Sequence, residues 1–295
     1  MTIKSGATTM MTTTIKRTLI AALLAVGACG QASPTPANAQ PAAPPPGSLF
    51  AAEPDLVWRL PNTLREISGL AVSPDGRLFA HDDERAIIYE LDITRGGIVK
   101  AFTLGSPPLA GDFEGIDISP EGEFWLITAE GQVRRFREGA NGSAVAYETF
   151  DTGLADICEI EGLAYVSAQR LILACKRNAA RNMRNTIALY EWRPGETAQL
   201  WRTLPEAEVA ARAGVRRFRP SSLDIDPVTG RLLVLSAFDA ALAELSPEGE
   251  LLAARALGSA HIQAEGVAVL ADGALAVADE AKDARPLLSR YPRIP

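Results

Sequence analysis

A sentence written five times along the chain constrains its fold more than any other feature. The copies begin Ile67-Ser-Gly-Leu-Ala-Val-Ser-Pro-Asp-Gly76, Phe113-Glu-Gly-Ile-Asp-Ile-Ser-Pro-Glu-Gly122, Ile160-Glu-Gly-Leu-Ala-Tyr165, Pro220-Ser-Ser-Leu-Asp-Ile225 and Ala264-Glu-Gly-Val-Ala-Val269. Each continues into a second apolar run, so each reads as a β-hairpin closed by a turn. Ser73-Pro-Asp-Gly76 holds what a reversal needs: Pro to preset φ, then Asp, then Gly. The second residues of the copies are Ser68, Glu114, Glu161, Ser221 and Glu265, spaced by 46, 47, 60 and 44 residues. A period of that size with four strands per unit predicts an all-β chain, a five-bladed β-propeller. A six-bladed ring is the runner-up. It needs a blade with no recognisable repeat, and spare length exists only in the third unit, where a basic loop at 177–184 and a short helix at 205–214 account for it.

In the first unit the strands are predicted at 67–73, 77–81, 86–92 and 98–104. The fifth unit shows three strands before Pro295. Its outer strand is predicted from the N-terminus at 55–60, which closes the ring. The propeller domain is thus residues 53–295.

The upstream residues carry a different message. Lys16-Arg17 precedes the apolar run to Cys29, a positive segment, a short hydrophobic one and small residues. At under 20 residues the run is too short to span a bilayer as a helix. Residues 1–28 are expected to be a lipoprotein signal peptide, with Met10 and Met11 as alternative initiators. Val26-Gly-Ala-Cys29 is similar to a lipobox, so Cys29 is the expected site of lipidation. Residues 29–52, rich in Pro and Ala, cannot bury enough apolar surface to fold and are expected to be a tether. Together these place the domain in the bacterial cell envelope, periplasmic or extracellular, with the membrane as a partner through the lipid. Removing residues 1–28 takes away Lys4, Lys16 and Arg17 and no acid, so the net charge moves from −7 to −10. Such a chain repels nucleic-acid backbones, and none is expected as a partner.

Propeller geometry says where chemistry sits. The innermost strand of each blade lines the central channel, and the start of strand one lies beside the end of strand two. Ser68, Glu114, Glu161, Ser221 and Glu265 therefore converge near one mouth. Carboxylates gathered in a partly desolvated channel raise one another's pKa unless a cation balances them. The set is all oxygen, with no His or thiolate, which points to Ca²⁺. The bland reading is that these residues bind backbone amides and set the blade geometry. Around the same mouth lie Asp82, Asp83 and Glu84, able to hold water or a second cation, and Lys176, Arg177, Asn178 and Arg181, able to clamp an anion. Both groups equally suit a solvated surface. Cys158 and Cys175 flank one hairpin, as a disulfide or as two buried thiols. His81 and His261 have no nucleophile at a motif spacing, and no phosphate loop is present, so the catalytic residues stay unassigned.

The stretches Ile67-Ser-Gly-Leu-Ala71, Gly111-Asp-Phe-Glu-Gly-Ile116, Cys158-Glu-Ile-Glu-Gly-Leu-Ala-Tyr165, Leu173-Ala-Cys-Lys176, Arg219-Pro-Ser-Ser-Leu223 and Leu288-Ser-Arg-Tyr-Pro292 resemble the SdiA-regulated (YjiK-like) family of bacterial envelope proteins. The Ser-Glu-Glu-Ser-Glu order also resembles calcium-activated nucleotidases of the apyrase type, five-bladed propellers with a central Ca²⁺. That likeness implies Ser68, Glu114, Glu161, Ser221 and Glu265 as its ligands, and 81–89 is similar to a segment near their nucleotide site. Two functions follow as expectations. The first is a tethered propeller that binds a small ligand or an envelope protein at a calcium-containing mouth. The second is a calcium-dependent hydrolase of phosphoric esters, anhydrides or lactones, with Asp82 or Asp83 positioning water.

Overall fold

The computed structural model describes residues 46–258, 260–281 and 284–295. The signal segment, Cys29 and the tether up to residue 45 lie outside the described residues. None of the described helices is long and apolar enough to cross a membrane.

The described residues form five sheets, one per repeat, antiparallel but for one short strand added to the first. The first blade is Ile67–Val72, Leu78–Asp82, Ile87–Asp92 and Gly97–Leu104. The second is Phe113–Ile118, Glu123–Thr128, Gln132–Arg137 and Tyr147–Asp151. The third is Cys158–Ser167, Arg170–Asn178, Thr186–Trp192 and Gln199–Pro205. The fourth is Pro220–Ile225, Leu232–Ser236, Ala241–Leu245 and Leu251–Ala256. The fifth is Ala264–Val269, Leu275–Asp279 and Leu287–Tyr291, completed by Leu56–Arg59 from the N-terminus. That last pairing is antiparallel, Leu56 opposite Arg290 and Arg59 opposite Leu287. The ring closes as expected, with five blades.

Each blade is a meander because its turns are built for reversal. In the first, Gly76 sits at φ 83°, open to glycine at no steric cost, and its N–H donates to the Ser73 carbonyl at 2.8 Å. The strands next to the channel are apolar on both faces, because each blade is covered by two neighbours. Leu70, Leu78 and Ala80 pack toward the fifth blade, whereas Ala71 and Phe79 pack toward the second. The core is therefore five wedges, one between each pair of blades. The helix Glu206–Ala213 plugs the wedge between the third and fourth blades with Val209, Ala210 and Ala213. It stops at Gly214, whose φ of 71° caps the last turn. One addition escaped the sequence reading. Ala144–Val145 leaves the second blade and pairs in parallel with the outer strand of the first.

The chain reaches the propeller on a defined side. Glu244 accepts the Leu49 N–H at 3.0 Å and the Ser48 hydroxyl at 2.6 Å, and Arg231 donates to the same carboxylate at 3.1 Å. Glu244 and Arg231 lie by the turns at the end of the channel opposite to Ser68, Glu114, Glu161 and Glu265.

Candidate functional site

The five repeat-start residues share a backbone feature. In every blade the ladder between strands one and two skips a residue, and the residue skipped is Ser68, Glu114, Glu161, Ser221 or Glu265. Each is a β-bulge, a device that turns a side chain out of the pleat and so aims it. The following glycine serves the same end. A Cβ on Gly115 would lie 2.8 Å from the Leu163 nitrogen, on Gly162 3.0 Å from the Leu223 nitrogen, and on Gly266 3.1 Å from the Gly69 carbonyl carbon. The inner strands of successive blades therefore touch backbone to backbone. Only the fourth copy has a side chain there, Ser222, whose hydroxyl accepts the Val267 N–H at 3.3 Å.

Four of the five bulge residues line a cavity of about 120 Å³: Ser68, Glu114, Glu161 and Glu265. Ser221 is buried and donates its hydroxyl to the Ala264 carbonyl at 2.8 Å, which joins the fourth blade to the fifth. Lys176 also enters the cavity, from a bulge in the opposite strand of the third blade, and its Nζ donates to Glu161 Oε1 at 2.6 Å. Asp83, Glu66, Ile67, Gln263 and Glu280 complete the wall. The Gln263 amide donates to the Glu280 carboxylate.

Charge in this space is unbalanced. Burial, then the neighbouring carboxylates, push Glu114 up to about 9 and Glu265 up to about 8. Burial takes Glu161 up to about 7 against the pull of Lys176. Burial disfavours the Lys176 ammonium, but Glu161, Glu265 and Glu114 outweigh it and its pKa rises. Asp83 is pushed up to about 6 by burial, Glu66 and Asp82. Among the described residues, the Lys176 ammonium faces Glu161, Glu265 and Glu114, while Glu66 has Arg65 at 3.2 Å. Buried acceptor atoms without a partner among the described residues remain on the wall: Asp83 Oδ1, Gln263 Oε1 and Glu265 Oε2. An all-oxygen set with unpartnered acceptors fits a hard cation. Among the described residues no three His, Cys, Asp or Glu side chains are already gathered about one point. Lys176 draws Glu161 to itself instead.

Other expected residues fall nearby with different duties. Asp82 is buried and accepts the Arg85 N–H at 2.9 Å, shaping the turn. Arg177 binds Glu159 through two nitrogens, at 2.6 and 2.9 Å, in an exposed pair. Asn178 holds the next loop by donating to the Met183 and Thr186 carbonyls at 3.1 and 2.8 Å. Glu84 is outside the cavity wall. Cys158 and Cys175 are joined as a disulfide across the strand pair that carries Glu161 and Lys176.

The two histidines are both buried. His81 packs against the bare Cα of Gly69, and burial lowers it to about 4, so its ring is neutral. His261 belongs to a network that sequence reasoning missed. It lies 2.6 Å from Asp279 Oδ2 and 2.5 Å from the Tyr291 hydroxyl. Asp279 Oδ1 accepts the N–H groups of Ile262 and Gln263 at 3.0 and 3.2 Å, which fixes the backbone just before Glu265. Tyr291→Phe, which strips one buried hydroxyl from this network, should cost about 1–2 kcal/mol in chemical denaturation. A change near zero would mean that the hydroxyl positions nothing.

The opposite end of the channel opens into a cavity of about 830 Å³. There Asp117 accepts the Tyr165 N–H and Asp224 the Val269 N–H, each at 2.6 Å, linking the second blade to the third and the fourth to the fifth.

Comparison with known proteins agrees with this architecture. The structure is similar to glutaminyl cyclase of Myxococcus xanthus, with a TM-score of 0.55 and 14% identity over 82% of this chain and 97% of that one. It is similar to a luciferin-regenerating enzyme at 0.50 and 12%, over 80% and 94%. A gluconolactonase from Xanthomonas campestris follows at 0.44 and 16%, over 77% and 72%. For the first two, at these identities, the likeness is one of fold alone. No curated protein matches the sequence. A family model does, the one described as SdiA-regulated, over residues 57–281. The chain is therefore a member of the SdiA-regulated family.

Proposed function

We propose that this β-propeller binds a small ligand at the Glu114–Glu161–Glu265 mouth together with a calcium ion, as an extracytoplasmic domain tethered through Cys29. The observation that carries the reading is the pair of buried acceptors without a partner among the described residues, Glu265 Oε2 and Gln263 Oε1, on a wall where Lys176 faces Glu114, Glu161 and Glu265. Glu114, Glu161, Glu265 and Ser68 would hold the cation, with Asp83 and Gln263 beside it. When bound, it supplies positive charge and open coordination positions to the ligand. Lys176 keeps Glu161 oriented, and the His261–Asp279–Tyr291 network keeps Gln263 and Glu265 in place.

Calcium at about 100 times its Kd is expected to stabilise the domain by about 2.7 kcal/mol in thermal unfolding, because it binds the folded state. Glu265→Gln should remove most of that gain while folding normally in chelator. Equal melting with and without calcium in the unsubstituted protein would refute the cation site.

A second reading, hydrolysis of a phosphoric ester, anhydride or lactone, draws on Asp83. A carboxylate held near neutral pKa at the rim suits a group that takes a proton from attacking water. A turnover screen over nucleotides, phosphotriesters and lactones separates the two readings. Hydrolysis lost in Asp83→Asn would establish the enzyme, and no turnover on any substrate leaves the binding protein.

A further inference from the structure

The third blade differs from the other four at the acidic mouth. In every blade the first strand carries a bulge there, but only in the third does the second strand carry one too. The extra residue is Lys176. A bulge re-aims a side chain, and this one sends an ammonium into the cavity that Ser68, Glu114, Glu161 and Glu265 also enter. The Nζ donates to Glu161 Oε1 at 2.6 Å, and the charges of Glu265 and Glu114 act on it as well. Lys176 thus already does part of what a bound cation would do.

Until a cation arrives, the bond that orients Glu161 also occupies it. A divalent ion that took Glu161 would meet the ammonium close by, and like charges in a partly desolvated space repel strongly. One of the two has to give way. A second seat for the ammonium stands ready. Glu159 is outside the cavity wall, yet one of its oxygens lies 3.9 Å from the same Nζ. Arg177 holds that carboxylate still with two nitrogens, at 2.6 and 2.9 Å. The Lys176 side chain is 33% exposed, so its flexible stem can swing toward the rim, whereas Glu161 at 2% has no such freedom. The backbone need not follow. The Cys158–Cys175 disulfide ties the two strands beside both bulges, and Asn178 fixes the loop beyond them. Lys176 therefore has two carboxylates within reach, one inside the cavity and one at its edge.

We infer that Lys176 is a built-in competitor for the cation of the mouth: it sits on Glu161 in the cation-free chain, turns to Glu159 when the cation binds, and so sets how much calcium the chain needs. This rests on the cation-site reading above, and the experiment keeps the two apart. Calcium binding to the full chain is measured by calorimetry at neutral pH in physiological salt, where exposed charges are screened beyond roughly 8 Å. Lys176→Met, which keeps the reach of the side chain and removes its charge, should bind calcium about ten-fold tighter or more than the unsubstituted chain. Lys176→Arg, which keeps the charge, should not. Glu159→Gln takes away the outer seat and should weaken calcium by about three-fold to ten-fold, yet change little in the Lys176→Met background. Loss of a nearby negative charge alone would weaken both backgrounds alike. Tighter binding by Lys176→Met upholds the competition even where the unsubstituted chain binds no calcium, a result that refutes the cation reading for that chain alone. Equal or weaker binding by Lys176→Met, with calcium still held by the unsubstituted chain, overturns the competition and leaves the reading standing. Calcium bound by neither overturns both. Should Lys176→Met not fold in chelator, Glu159→Gln decides: a weakened affinity upholds the competition and an unchanged one overturns it.

Discussion

Valine in place of Gly115 will lower the melting temperature by roughly 10 °C, a loss on the order of 3 kcal/mol, and will do so without touching any charged group. The new Cβ would stand 2.8 Å from the Leu163 nitrogen and 3.2 Å from the Gly162 carbonyl carbon. Those atoms are backbone of the inner strand of the third blade, which is itself pressed on the fourth, and shifting the Ile127 side chain, also 3.2 Å away, would not relieve them. Gly97→Ala is the control, because nothing lies within 4 Å of a Cβ at that position. It should be neutral or slightly stabilising, since alanine restricts the unfolded chain. Equal melting of the two variants would mean that the inner strands do not abut.

In chelator, stability is expected to fall as pH rises from about 5 to 9. Glu161, Glu265 and Glu114 are raised to about 7, 8 and 9 in the folded chain, against an ordinary value of 4.5. Between those values the folded state binds more protons than the unfolded one, so the slope of unfolding free energy against pH is negative. Their contribution is whole below pH 4.5 and is lost as pH passes each folded value. Each carboxylate still protonated adds at most about 1.4 kcal/mol per pH unit. Burial raises Asp117 and Asp224 as well, in the same direction, so the difference between the unsubstituted chain and Glu114→Gln isolates the cavity. Glu114→Gln should flatten the curve most above pH 7. Calcium at pH 8 should restore much of what the rise in pH removed. A profile that stays level in chelator would mean that these acids are ionised and balanced without an added ion.

The repeat made the ring legible, because every copy carries its own turn and its own acid or hydroxyl beside a small residue. Glu114, Glu161, Glu265 and Ser68 could be placed at one mouth from that alone. Ser221 could not be told apart from them, since its different duty depends on the Ala264 carbonyl of the next blade. Lys176 reaches the acids through an extra residue in the second strand, and nothing in a run such as Leu173-Ala-Cys-Lys176 marks where a ladder slips. Gln263 and His261 lie in a connection that differs from blade to blade, so the repeat carries no trace of them. Ala144–Val145 is too short for any periodicity to show.

The seat of Ser48 and Leu49 on Glu244 has a directional consequence. Ser48 and Leu49 sit at the floor of the ring, and the acidic chamber opens from its roof. Docking of residues 48–49 on Glu244 and entry to the acidic chamber therefore occupy different edges of the blades and do not compete for the same space.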